Sequence, residues 1–214
     1  MFPQRRVSEP RPVRGAILAG GGATRFGGTP KGLEQVGGRR VIDRLVDAFV
    51  DGLGEPPLLV ANAPEASIWC PGIRVVRDLI PGAGSLGGLY TAVTEAPAPV
   101  VCVAWDMPFV PPGLIAALAQ AVGDADVVLP ASAGRRGVEP LCGAYGQGSA
   151  APMHERIVAG DFRAIAFHES VRVSILSMDS IRRFGDPAVL FFNVNTPEDL
   201  IKADRLWQQR ASSR

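Results

Sequence analysis

Three charged residues stand where their types and surroundings could act on a phosphate group. Arg25 and Lys31 lie in the glycine-rich stretch LAGGGATRFGGTPKG (18–32), directly after the apolar run GAIL. Glycines there allow positive φ and let backbone N–H groups close on an anion, while the two cations add charge where phosphate oxygens would lie. Asp106 follows the most apolar segment of the chain, PVVCVAW (99–105). A carboxylate in that place could hold Mg²⁺ against phosphate oxygens, because magnesium takes hard oxygen ligands and commonly one or two carboxylates. Asp78, which closes IRVVRD (73–78), is a second acid at the end of an apolar segment, where it could equally start a turn. The glycine stretch fits neither standard phosphate loop. A Walker loop needs G-x-x-x-x-G-K-[ST], but Lys31 stands between Pro30 and Gly32; a dinucleotide fingerprint needs glycine or alanine where Arg25 stands.

These residues need a scaffold that brings the ends of several apolar segments together. VRGAIL (13–18), PLLVAN (57–62), IRVVRD (73–78), PVVCVAW (99–105) and ADVVLP (125–130) read as strands. Between them, apolar residues at Val41, Ile42, Leu45, Val46, Phe49, Val50 and Leu53 have helical spacing, and SLGGLYTAVTEA (85–96) and PPGLIAALAQAVG (111–123) also read as helices. Such alternation predicts an α/β fold: a Rossmann-like three-layer α/β/α arrangement around a mostly parallel sheet. In a sheet of this kind ligands collect beyond the carboxyl ends of the strands. The glycine stretch, Asp78 and Asp106 all fall there. Farther on, EPLCGAY (139–145) and VRVSILSM (171–178) read as strands, with a helix near 149–159 between them. FFNVNTPEDLIKADRLW (191–207) reads as a strand, Phe191 and Phe192 in its core, running into a helix capped by Thr196 with Pro197 in its first position.

The 214 residues, 47% of them hydrophobic, suffice for one substantial core. One domain is expected over 13–208, with a loose tail at 1–12. A balance of 22 Lys and Arg against 21 Asp and Glu offers no long-range attraction to nucleic acid or an anionic membrane, so any anion site must be local. Cys70, Cys102 and Cys142 form no C-x-x-C pair and suggest neither disulfides nor zinc. With no apolar run long enough to span a bilayer, a cytoplasmic protein is expected. His154 and His168 stand alone and read as surface or packing residues rather than bases, as does Arg163 as a solvated cation.

Taken in order, LAGGGATRFGGTPKGL, GAGSLGGLYTAV, WDMPFVP, EPLCGAY and FFNVNTPEDL resemble the molybdenum cofactor guanylyltransferases, within the nucleotidyltransferase superfamily. The resemblance runs from residue 13 to about residue 206, and it implies a nucleotide-binding half at about 13–130 and an acceptor-binding half at about 131–208. It implies transfer of GMP from GTP to molybdopterin with release of pyrophosphate, and Mg²⁺ as cofactor. Carried over by position, Leu18, Ala19 and Gly20 would meet the GTP base and ribose, with Gly21, Asn62 and Asp78 also on the nucleotide. Arg25 and Lys31 would meet the phosphates, and Asp106 would hold Mg²⁺. Asn193 and Asn195 would lie on the metal and acceptor side. Molybdoenzymes or other cofactor-biosynthesis proteins are the partners such an enzyme would serve.

Two positions depart from that pattern. Pro30 stands where the family has aspartate, as in related cytidylyl and sugar nucleotidyl transferases, and Trp105 replaces a small residue, commonly cysteine. The residues by themselves leave open cytidylyl or other nucleotidyl transfer to molybdopterin or to a sugar phosphate, and a non-catalytic nucleotide-binding adaptor for a molybdoenzyme. The first reading fits the chemistry without a catalytic base. An acceptor phosphate is already ionised and needs neutralised charge and in-line placement instead.

Overall fold

The computed structural model describes residues 12–20, 30–123 and 125–212. Gly21 and Arg25, named above, lie outside the described residues.

The chain opens on β1 (Arg14–Leu18), whose residues beyond Arg14 are all buried. A small hairpin of β2 (Gln35–Val36) and β3 (Arg39–Arg40) then leads into α1 (Val41–Leu53). Val41, Ile42, Leu45, Ala48 and Phe49 form the buried face of α1, and the helix ends at Gly54, whose φ of 80° suits a left-handed cap. Next come β4 (Leu58–Val60), the short α2 (Ala66–Trp69), β5 (Val75–Val76), α3 (Gly84–Glu95), β6 (Val100–Ala104) and α4 (Pro112–Ala121). The chain continues through β7 (Val127–Pro130), β8 (Cys142–Tyr145), α5 (Ala150–Val158), β9 (Val173–Leu176), α6 (Met178–Arg182), α7 (Pro187–Leu190) and α8 (Pro197–Ser212).

The main sheet has the order β5-β4-β1-β6-β8-β7-β9. Every neighbouring pair is parallel except the two made by β8, which runs antiparallel to both β6 and β7. Apolar layers cover both faces. One joins α1 and α4 to the Trp105–Val110 segment and the chain's end, and the other joins α3 to α5. The expected α/β architecture is therefore the observed one. β6, buried along its whole length, lies inside the sheet as its uninterrupted apolar run predicts.

Two expectations need correction. The segment 139–145 is strand only from Cys142: Glu139 N–H still bonds to Pro130 O at the end of β7 at 3.1 Å, but the chain then turns, with Cys142 N–H bonding back to Glu139 O at 3.3 Å. FFNV (191–194) joins no strand. Phe191 N–H still bonds back to Pro187 O at 3.2 Å in the turn that ends α7, and Val194 N–H bonds to Asp106 O at 2.9 Å. That single backbone bond docks the segment on the loop after β6 rather than on a sheet edge. Phe191 and Val194 are buried there all the same.

Candidate active site

β1 and β6 are neighbours in register, Leu18 opposite Ala104, so the residues that follow them emerge side by side. At the β1 end, Ala19 N–H bonds to Val60 O at 2.8 Å and Trp105 N–H bonds to Leu18 O at 3.2 Å. These bonds fix the backbone there and leave Gly20 exposed beyond it. From β4 and β5 come Asn62 and Asp78, which clasp each other. Asn62 Nδ2 donates to Asp78 Oδ2 at 2.7 Å, and Asp78 N–H donates to Asn62 Oδ1 at 2.9 Å. The first turns of α3 close on the same place: a Cβ on Gly88 would lie 3.9 Å from Leu18 Cδ2 and 4.0 Å from Asp78 Oδ1. Leu18, Ala19, Gly20, Asn62 and Asp78 thus gather at one end of the carboxyl edge of the sheet, where a ligand cleft is expected.

The other end is built on β6. Asp106 follows it by two residues, with Oδ1 fully buried and without a hydrogen-bond partner among the described residues. Burial pushes the Asp106 carboxyl above its ordinary range, and the nearby Lys31 ammonium and a backbone hydrogen bond oppose that shift. Lys31 begins a single 3-10 turn, and its Nζ donates to Asn195 Oδ1 at 2.6 Å. That turn is wedged in place: a Cβ on Gly32 would overlap the Trp105 ring, which stacks on Trp69 with ring centroids 5.3 Å apart.

Asn195 is itself held by the start of α8. Thr196 Oγ1 accepts the Asp199 N–H at 3.1 Å, while Asp199 Oδ2 accepts the N–H groups of Thr196 at 2.9 Å and Asn195 at 3.0 Å. This reciprocal cap is the one that the TPED sequence predicts. Lys31, Asp106 and Asn195, far apart in sequence, therefore meet. Asn193 lies in the same closing segment, but its Nδ2 bonds to Phe191 O at 3.0 Å, within its own turn.

An orphaned carboxylate oxygen beside a cation suits a divalent-metal site that is completed by substrate phosphates, since Mg²⁺ commonly takes one or two carboxylates from the protein. Among the described residues no group of three or more His, Cys, Asp or Glu stands together as a self-sufficient metal cage. Sequence reading missed one acid in this corner. Glu139 is partly buried, and burial pushes its carboxyl up; a hydrogen bond from Leu141 N–H opposes the shift, the Asp106 charge adds to it, and Arg136 opposes it. The antiparallel placement of β8 was the missing signal, and apolar periodicity does not carry it.

Residues 15–173 match the family described as the MobA-like NTP transferase domain. A probable molybdenum cofactor guanylyltransferase of Pelotomaculum thermopropionicum is 36% identical over 88% of this chain and 90% of its own. A molybdenum cofactor guanylyltransferase of Bradyrhizobium is 34% identical over 91% of this chain and 92% of its own. Among solved structures, molybdopterin-guanine dinucleotide biosynthesis protein A from Archaeoglobus fulgidus superposes with a TM-score of 0.76 at 24% identity, covering 92% of this chain and 99% of that one. The 2-C-methyl-D-erythritol 4-phosphate cytidylyltransferase of Thermus thermophilus shares the fold, with a TM-score of 0.63 at 20% identity and coverage of 92% and 98%. Fold, cleft and sequence agree, and the chain belongs to the MobA-like NTP transferase family.

Proposed function

We propose that this nucleotidyltransferase transfers GMP from GTP to the terminal phosphate of molybdopterin, with Mg²⁺ as cofactor and pyrophosphate as leaving group. The observation that carries the reading is the meeting of Lys31, Asp106 and Asn195 at the end of β6, with a buried Asp106 oxygen that no described residue partners. The guanylyltransferase relatives cover most of this chain and of their own length, which supports the substrates.

In this reading Leu18, Ala19 and Gly20 border the base and ribose, and the Asn62–Asp78 clasp fixes the nucleoside end of the cleft. Lys31, joined by Arg25 and the glycine backbone, neutralises the triphosphate. Asp106 holds the cation, which when bound draws charge from the phosphate oxygens. Asn195 orients the Lys31 ammonium from the acceptor side. The acceptor oxygen is already an anion, so these residues act by orienting two anions in line and lowering their repulsion, without removing a proton. No helix among the described residues is long and apolar enough to cross a membrane, and Cys70, Cys102 and Cys142 are buried and free, in keeping with a cytoplasmic setting.

The test is direct. Mixing the protein with molybdopterin, Mg²⁺ and GTP should release pyrophosphate and form the guanine dinucleotide, and EDTA should stop it. A protein that binds GTP yet releases no pyrophosphate with molybdopterin would be an adaptor, and the reading would fall.

A further inference from the structure

We infer that Glu139 supplies a second carboxylate to the divalent-cation site of Asp106. The inference rests on the reaction proposed above in one respect, that a cation accompanies the triphosphate at Asp106. The geometry begins with strand register. β8 runs antiparallel to β6, Val103 lies opposite Cys142, and Ala104 N–H bonds to Leu141 O at 2.8 Å. Beyond that last bond the chain continues forward from β6 through Trp105 to Asp106 and backward from β8 through Pro140 to Glu139. Asp106 and Glu139, three residues past Val103 and three before Cys142, thus leave the sheet at the same corner, and the Asp106 charge reaches the Glu139 carboxyl.

Glu139 is fixed there from three directions. Its N–H bonds to Pro130 O at 3.1 Å, its carbonyl accepts Cys142 N–H at 3.3 Å, and its Oε1 accepts Leu141 N–H at 3.2 Å. A carboxylate offers about four lone-pair sites, so the Leu141 bond leaves capacity for another ligand. Asp106 is anchored in the same way through its backbone, its carbonyl accepting Val194 N–H at 2.9 Å while Oδ1 stays buried without a partner among the described residues. Two partly buried acids at one corner of the sheet raise the cost of each other's charge, and a cation between them lowers it. Among the described residues, Lys31 lies near Asp106 but is bonded to Asn195, and Arg136 lies on the Glu139 side. A divalent ion that bridges the two acids from inside the cleft meets the donor number that magnesium usually takes from protein, and it leaves its remaining positions to phosphate oxygens and water.

The whole protein tests this with Mn²⁺ as the probe, its free signal followed by electron paramagnetic resonance. Glu139→Gln keeps an oxygen to accept the Leu141 N–H and loses only charge. It should weaken Mn²⁺ binding about 10–100-fold, as should Asp106→Asn. Wild-type affinity in Glu139→Gln, or no Mn²⁺ bound by the wild type, overturns the inference. Anomalous diffraction from Mn²⁺-soaked wild-type crystals avoids dependence on a variant's folding. A peak bound directly or through one water to both carboxylates supports the inference, and a peak on Asp106 alone overturns it. GMP transfer measured in parallel separates the two readings. Transfer by the wild type with unchanged Mn²⁺ affinity in Glu139→Gln removes Glu139 and leaves the reaction standing. Weakened Mn²⁺ affinity without GMP transfer by the wild type does the reverse.

Discussion

Lys31 Nζ donates a 2.6 Å hydrogen bond to Asn195 Oδ1, joining the turn before β2 to a residue 164 positions later at the start of α8. The amide oxygen fixes where the ammonium points, and Asn195 is in turn fixed through its own N–H by Asp199 at 3.0 Å. In the proposed reaction, charge for the triphosphate would thereby be set before the nucleotide arrives. The substrate need not order a flexible lysine, a cost of roughly 0.5–1.5 kcal/mol for a rotamer-rich side chain.

Removing either partner should therefore act on nucleotide handling rather than on folding. Lys31→Ala is expected to weaken GTP binding about tenfold or more, and Asn195→Ala less, because the ammonium remains but wanders. The double variant should lose less than the sum of the two, since one hydrogen bond is being removed twice. Stability should move little, because a partly exposed cation contributes little to folding. Calorimetric GTP binding across the four proteins checks this, and strictly additive losses would disconnect the two residues.

The role proposed for Asp106 comes with a cost to folding. Burial raises its carboxyl above the ordinary range. The unfolded chain therefore ionises first as pH rises. The fold loses stability between the unfolded and the folded pKa and keeps that loss at neutral pH. Asp106→Asn carries no such penalty. Without divalent cations it should melt above the wild type at pH 7. The gap should close as pH falls below about 4, where both forms are neutral. Turnover with Mg²⁺ should fall about 10²–10³-fold, as when one charge-stabilising group is lost. A melting curve indifferent to pH would count against the buried carboxylate.

Gly32 faces Trp105 so closely that a Cβ would enter the indole, and Trp105 is backed by Trp69. Gly32→Ala should therefore push the Lys31 turn off its wall. Overpacking of this kind costs about 1–3 kcal/mol. A loss of melting temperature is expected together with a higher KM for GTP, because the displaced backbone carries the lysine. Trp105→Phe in the Gly32→Ala background makes room and should recover part of both. Recovery of stability without recovery of KM would show that Trp105 packs the core and leaves Lys31 alone.

Much of the scaffold was legible because its signals are local. The uninterrupted apolar run of β6 announced an inner strand, and the capping residues Thr196 and Pro197 marked the start of α8 within a residue. Motif resemblance named Lys31, Asp106 and Asn195, and the fold brings them together. What stayed hidden was non-local. Phe191 to Val194 is as apolar as a strand, but it is held by one bond from Val194 to Asp106 instead of a ladder, and no alternation distinguishes the two cases. Glu139 could be seen only once β8 was known to run against β6.

The last expectation concerns the base. Two backbone groups at the end of β1 are already engaged inside the fold, Ala19 N–H with Val60 O and Leu18 O with Trp105 N–H. A base lying there is therefore read largely by what comes from β4 and β5, the Asn62–Asp78 clasp. Guanine presents adjacent N1 and N2 donors, which a carboxylate accepts as a pair. Cytosine presents one amino donor beside a ring acceptor, which would face the Asp78 oxygens unpaired. Each buried group left unpaired costs about 1–3 kcal/mol. GTP with Mg²⁺ should raise the melting temperature clearly more than CTP, ATP or UTP at equal concentration. Asp78→Asn should shrink the GTP advantage while leaving the smaller common shift from the phosphates in place. Equal shifts with all four nucleotides would mean that only phosphates are read, and a larger shift with CTP would make Pro30 the better guide to the base.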